Sequence, residues 1–310
     1  MNSNLTSLAL FGLASILGGC AVGVADTTPE DPTESADSEL STTSRSYVTL
    51  RHDDRKCMSP MCGGYWVKDA NKNTAERYVS GLDFGPSNLD SIQVGKVLEA
   101  APEELVLRGK LTKKDPTYGT QAFLVYEAYR GMPGVVASSN DFFYRSEDRN
   151  PQIQCFAAPC PNETATRLNT SSKTNFDRFN FEHATKLFVD SAWLVERVDH
   201  HNAIVAGRIF NGQKFPGGYE KVLDASQVYV RIDDMTGPCP AFKLSACPDG
   251  EDWAYTRDAD MCLIPDKCVP TAGCPSLQPP MCEEGYSVSG WRIDSKKCMQ
   301  LVCDPTFVAQ

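Results

Sequence analysis

The feature that most constrains this chain is a cysteine pattern that occurs twice near its C-terminal end. Cysteines run C-x7-C-x14-C-x5-C from 239 to 268, then C-x7-C-x15-C-x4-C from 274 to 303. The first set is Cys239, Cys247, Cys262 and Cys268, and the second is Cys274, Cys282, Cys298 and Cys303. Both copies open Cys-Pro, place an acid and a glycine after the second cysteine, and follow with a tryptophan, Trp253 or Trp291. Units of about 30 residues bury too little surface to hold a fold alone, so each copy is expected to depend on two disulfides. Four cysteines per copy favour pairing within each copy, and the spacing leaves the connectivity open.

The chain has 13 cysteines. Outside the tail they are Cys20, Cys57, Cys62, Cys155 and Cys160. Setting Cys20 aside leaves an even twelve, which fits disulfides formed in an oxidising compartment. Zinc is the rival reading. The lack of any C-x2-C pair and a supply of only four histidines favour disulfides over it. No metal or other cofactor is expected.

Cys20 has a different role. From Leu5 to Gly19 the chain carries no charge, and the run is too short to span a membrane. It ends Leu17-Gly18-Gly19-Cys20, the form of a bacterial lipobox. The reading is a signal peptide over 1–20, with lipid attached at Cys20 as the membrane anchor. More than one acyl chain is needed for firm attachment. The leader lacks a basic region, and cleavage after Ala25 with simple secretion is the alternative. Residues 21–46 follow as an acidic tether rich in Thr, Ser, Asp, Glu and Pro, a composition that favours disorder. The expected location is the bacterial outer membrane or cell surface.

Acidity is uneven. Of the net charge of −10, residues 26–46 carry six acids and one base, and residues 239–310 carry ten acids and six bases. No basic patch recommends nucleic acid as a partner.

The body repeats internally. SYVTLRHDD (46–54), DFFYRSED (141–148) and SQVYVRIDD (226–234) look alike, each reading as a strand entering a turn. CMSPMC (57–62) follows the first and CFAAPC (155–160) the second. ELVLRGKL (104–111) corresponds to AIVAGRIF (203–210), and SGLDFG (80–85) to DRFNFE (177–182). Cys57 to Cys155 and Gly109 to Gly207 are both 98 residues apart, the mark of a duplication.

The fold class expected is therefore mainly β: two duplicated units over 47–137 and 138–236, then cysteine-rich repeats over 237–270 and 271–310. Strands are expected at Tyr65–Lys68, Leu105–Leu111, Ala122–Tyr129, Phe142–Arg145, Ala203–Phe210 and Gln227–Ile232. Short helices are expected at Leu89–Ala100 and Ala184–Val195.

The stretch YVTLRHDDRKCMSPMCGGYWVKDANKNT (47–74) resembles an uncharacterised family of domains found in predicted lipoproteins of myxobacteria. The likeness rests on Arg55, Lys56, Cys57, Pro60, Cys62, Gly63, Gly64 and Tyr65. It rests again on Cys155, Pro159, Cys160, Pro161, Leu168 and Asn169, and it covers roughly 47–234. The family often adds a cysteine pair after the Asn-Thr turn. This chain has NTAERYVSGLDF there instead. The resemblance implies no particular activity.

Catalytic signatures are missing from the sequence. Adjacent histidines on a strand face opposite ways, so Asp199-His200-His201 reads as a solvated turn rather than a metal site, and His183 as a strand residue. There is no G-x-S-x-G elbow, P-loop or dinucleotide fingerprint. Acid pairs at Asp53-Asp54, Glu147-Asp148 and Asp233-Asp234 lack the spaced calcium loop. The sequence thus points to a non-enzymatic envelope lipoprotein, a binding or structural module for a protein or glycan. The alternative is a secreted peptidase inhibitor using Arg292 or Lys296 of the tail.

Overall fold

The computed structural model describes residues 40–147, 157–232, 239–258, 260–271, 273–274, 277–294 and 298–308. The first unit holds β1 (Ser46–His52), β2 (Tyr65–Asp69), β3 (Arg77–Val79), β4 (Leu82–Asp83), α1 (Ser91–Leu98), β5 (Leu105–Leu111) and β6 (Phe123–Gly131). The second repeats that order with β7 (Phe142–Glu147), β8 (Glu163–Arg167), β9 (Lys173–Phe176), β10 (Arg178–Asn180), α2 (Ser191–Asp199), β11 (Ala203–Phe215) and β12 (Gly218–Arg231). All join one 12-stranded sheet in the order β3-β2-β1-β5-β6-β12-β11-β7-β8-β9, while β4 pairs in parallel with β6 and β10 with β12. Read outward from its centre, the sheet is the same in both directions. Two equivalent strands, β6 and β12, meet antiparallel at the seam, with Val230 opposite Arg130.

The duplication extends to irregularities. Between β5 and β6 the register shifts at Arg108/Gly109, and between β11 and β12 it shifts at Ala206/Gly207. A Cβ on Gly109 would sit 2.1 Å from the Leu124 carbonyl oxygen, and one on Gly207 the same distance from that of Asp224. The bulge brings two backbones so close that only glycine fits.

A reciprocal clasp joins the units. Asn71, in the β2–β3 turn, donates from Nδ2 to the carbonyls of Phe143 and Leu168 and accepts from the Phe143 amide. Asn169, in the β8–β9 turn, donates to the carbonyls of Tyr47 and Ala70 and accepts from the Tyr47 amide. Both asparagines have φ 60°, a left-handed conformation that asparagine tolerates. Each unit thus grips the first strand of the other. Beside the clasp lies a small core of Tyr47, Val106, Tyr129, Ile204 and Tyr229. The larger core holds Val48, Leu107, Phe123, Phe176, Trp193, Leu194 and Val228.

Three expectations need correction. Residues 226–231 form the end of β12, the last strand of the second unit, whose counterpart is β6, so their likeness to 46–54 is not part of the structural repeat. The second helix starts at Ser191 rather than Ala184. Asp190 caps the amides of Ala192 and Trp193, and Phe188 has φ 68°, which no helix accommodates. The chain also joins the folded body before residue 46. Leu40 is buried, Arg77 donates to its carbonyl at 3.1 Å, and Leu111 donates to Ser41 at 3.1 Å. Leu40 is the largest apolar side chain in an otherwise polar run, so its burial has a driving force its neighbours lack. Cys20 and the rest of the leader lie outside the described residues.

The tail forms two hairpins, β13 (Glu251–Arg257) with β14 (Leu263–Pro270), and β15 (Tyr286–Arg292) with β16 (Met299–Pro305). In both, the first cysteine pairs with the third and the second with the fourth. The bonds are Cys239–Cys262, Cys247–Cys268, Cys274–Cys298 and Cys282–Cys303. Loops of 21 to 24 residues make each bond worth about 3 kcal/mol in chain entropy. The second hairpin also sends Tyr286, Cys303, Phe307 and Val308 into the main core.

One buried guanidinium ties these pieces together. Arg257 on β13 contacts Asp304 of β16 through both terminal nitrogens, at 2.9 and 2.6 Å, and lies 3.6 Å from Asp190 at the start of α2. Its side chain is 7 % exposed and stacks over Trp291.

Candidate functional site: a groove beside the first disulfide clip

The β1–β2 connection is a disulfide clip, Cys57–Cys62, built around Asp53. The Asp53 side chain has no solvent exposure. It accepts from Arg55 Nε at 2.7 Å, Arg55 Nη2 at 3.0 Å, the Gly63 amide at 3.2 Å and Trp66 Nε1 at 3.1 Å. The Arg55 guanidinium, helped by the Trp66 indole, holds the Asp53 carboxyl down at about 2. Arg55 stacks between the rings of Trp66 and Tyr78, 4.8 Å from each. Tyr78 in turn donates to the Pro60 carbonyl at 2.8 Å. The Arg-Lys-Cys and Cys-Gly-Gly-Tyr signature therefore encodes a rigid loop.

A groove of about 570 Å³ opens beside this clip. One wall is Pro60 and Ser80, and the other is the β5–β6 connection from Thr112 to Ala122. That connection is fixed internally. Asp115 accepts from the amides of Thr117 and Tyr118 at 2.8 Å, its own amide donates to Thr120, and Gly119 closes the turn with φ 67°. The turn presents Lys113, Lys114 and Tyr118 outward, with Tyr118 57 % exposed. Among the described residues neither lysine forms an ion pair or a ring contact.

In the second unit the β11–β12 hairpin shifts register between Asn211 and Lys214 and turns where Phe215 faces Gly218. A Cβ on Gly217 would lie 3.4 Å from Pro159 of the second clip. There Lys214 lies over the Tyr219 ring at 5.6 Å, so the lysine and tyrosine of that hairpin satisfy each other. Cys160 is disulfide-bonded, and its amide donates to Asp177. Its expected partner Cys155 lies outside the described residues.

The other sequence candidates fall away from this groove. His200 caps the end of α2, and His201 occupies a turn with φ 60°, its Nδ1 2.6 Å from the Ser146 carbonyl. This is the turn expected for Asp199-His200-His201. His183 lies in a turn and not in a strand. Asp53 serves the clip, and Glu147 bonds Thr166 and Lys173; Asp148, Asp233 and Asp234 lie outside the described residues. Among the described residues no three His, Cys, Asp or Glu side chains gather in a way that could hold a metal ion. Arg292, expected as an inhibitor anchor on an exposed loop, is on β15 with its side chain 13 % exposed and 3.7 Å from Asp252. A half-buried strand arginine held beside Asp252 does not offer the free side chain that a peptidase pocket takes; Lys296 lies outside the described residues.

Sequence reasoning missed Lys113, Lys114 and Tyr118. Their signal was the turn-forming KKDPTYGT (113–120), whose importance depends on the clip that folds beside it.

Fold and site together define a class: a pseudo-two-fold β protein with one shared sheet and a disulfide-held tail. The profile of the family described as Domain of unknown function (DUF6748) matches residues 46–235, and the chain belongs to that family. It is also similar to an uncharacterised protein of Dictyostelium discoideum, 28 % identical over 270 residues. That match covers 84 % of this chain and 88 % of the relative, a longer span than the family stretch. No solved structure matches the chain.

Proposed function

We propose that this protein is a non-enzymatic binding module held at a bacterial outer membrane or cell surface by a lipid on Cys20. The observation that carries the binding reading is the difference between the twin units. On one frame, the first carries a groove with two exposed lysines that have no ion-pair partner among the described residues, and in the second the hairpin's Lys214 lies over Tyr219. Rigid loops displaying polar groups over a stable scaffold are a common form of recognition site. The lipobox and the even twelve cysteines that remain support export and anchoring. Among the described residues no helix is long and apolar enough to cross a membrane.

Two measurements test this. Intact mass of the membrane-extracted protein should show acylation at Cys20 and, on reduction, the disulfide count; an unmodified chain starting at Asp26 would favour simple secretion. The full-length protein on beads should retain a specific component of envelope extracts. If it recovers nothing beyond the bead control, the binding reading fails.

A further inference from the structure

We propose that the groove beside the first clip binds an acidic oligosaccharide, with the sugar face on Tyr118 and its carboxylates on Lys113 and Lys114. This deepens the binding reading and rests on it.

The lining argues for a sugar. Ser80, Thr112, Thr120 and Gln121 contribute hydroxyl and amide groups beside two prolines, Ala122 and the Tyr118 ring, so the lining mixes polar and apolar surface. A peptide partner generally anchors through apolar side chains in deeper pockets, which this groove lacks. An exposed tyrosine beside hydroxyl-bearing residues suits the mixed apolar and polar faces of a pyranose ring.

Charge argues for an acid. The protein is acidic overall, at −10. The Lys113-Lys114 turn is nonetheless basic, because its two lysines outnumber its one carboxylate, the exposed Asp115, which accepts from the amides of Thr117 and Tyr118. Two ammonium groups on adjacent residues, with no ion-pair partner among the described residues, are free to take carboxylates.

Pre-organisation argues for binding. The Pro60 wall is fixed by the Cys57–Cys62 disulfide and by Tyr78, and the lysine wall by the Asp115 turn. Little entropy is then lost when a ligand settles. The second unit supplies an internal comparison, because its lysine already lies on its own tyrosine.

The test is calorimetric titration of the full-length protein with trigalacturonate, using neutral galactotriose and hexaglutamate as comparators. Trigalacturonate should bind, and galactotriose should bind at least about tenfold more weakly. Lys113→Gln/Lys114→Gln should raise the Kd for trigalacturonate at least about tenfold, and so should Tyr118→Ala. All three substituted residues are exposed, so the variants should fold, and unchanged unfolding midpoints would verify this. Lys214→Gln in the second unit should leave the Kd unchanged.

Equal binding of hexaglutamate, insensitive to Tyr118→Ala, would overturn the sugar assignment in favour of an acidic peptide. No heat with trigalacturonate, while beads still retain an envelope component, would overturn the ligand class and leave the binding reading standing. If the beads also retain nothing, both fail.

Discussion

The two halves of the body share a frame and differ in what covers it. Both helices begin with a capping aspartate, Asp90 or Asp190. Asp90 is exposed on an uncovered helix whose Ile92 is 70 % exposed, whereas Asp190 is buried where Arg257 of the tail reaches it. The residues that follow the bulge differ in the same way. In the first unit Glu127 accepts from Tyr129 and pairs with Arg108 at 2.5 Å. In the second, Gln227 is 1 % exposed; it accepts from the amides of Met132 and Val228 and donates to the carbonyls of Met132 and Val135. Duplication preserved the backbone geometry and released the surfaces to diverge. The tail reaches the second half's helix through Arg257 and also rests on the first half, where Tyr286 donates to the Pro133 carbonyl and Arg130 lies over the Phe307 ring; the first half carries the groove with exposed lysines.

The largest effects should come where the halves are the same. Gly109→Ala and Gly207→Ala each drive a Cβ into a carbonyl oxygen 2.1 Å away. Each should lower stability by about 4 kcal/mol or more, enough to prevent soluble expression. A marked difference between them in urea unfolding would break the equivalence of the bulges.

Exchanging the residues after the bulge should be unequal. Gln227→Glu places a carboxylate among carbonyls where there is no solvent, and should cost about 3–5 kcal/mol at neutral pH. The introduced acid would have a raised pKa, so the loss should shrink as pH falls and the carboxyl becomes protonated. Glu127→Gln loses one partly exposed ion pair and should cost about 1 kcal/mol. Urea titrations at two pH values would check both.

Arg257→Met leaves Asp304 and Asp190 buried without their cation and should cost about 3 kcal/mol. Hydrogen exchange should rise in the tail hairpins and α2 but not in α1. Matching increases in both helices would disprove the selective tie between Arg257 and α2.

Asn71→Ala and Asn169→Ala each remove three hydrogen bonds and place alanine at φ 60°. Each should cost about 2–3 kcal/mol, and nearly the same amount if the clasp is symmetric.

The smallest effect is acid sensitivity of the first clip. Asp53 is held below its ordinary 3.8, at about 2, chiefly by Arg55. Its contribution should be complete above about pH 4 and lost as pH falls through 2. The Trp66 indole resonance should report that midpoint, and Asp53→Asn should abolish it.

Much of this was legible in the sequence. The spacing of 98 residues marked both clips and both bulges, and the same spacing separates Asn71 from Asn169. Leu105–Leu111 has the bounds expected for a strand. The helix expected over Leu89–Ala100 is present as Ser91–Leu98, opened by the Asp90–Gln93 capping box. Four cysteines per tail copy pointed correctly to pairing within each copy. The groove was hidden because its walls, Pro60 and Lys113 to Tyr118, are far apart in the chain, and neither has meaning until the other is placed.

By itself, then, the sequence determined the class, the period of the duplication, and which positions had to be glycine or cysteine. Those properties follow from local geometry and from the small number of ways a short segment can satisfy its backbone. Only the tertiary structure decided that the units meet through β6 and β12, that each asparagine holds the other unit's strand, and that Arg257 of the tail ties to α2 and not to its twin. These depend on which distant surfaces bury each other. Such choices rest on long-range packing and on the pairing of buried polar groups, which no local pattern records.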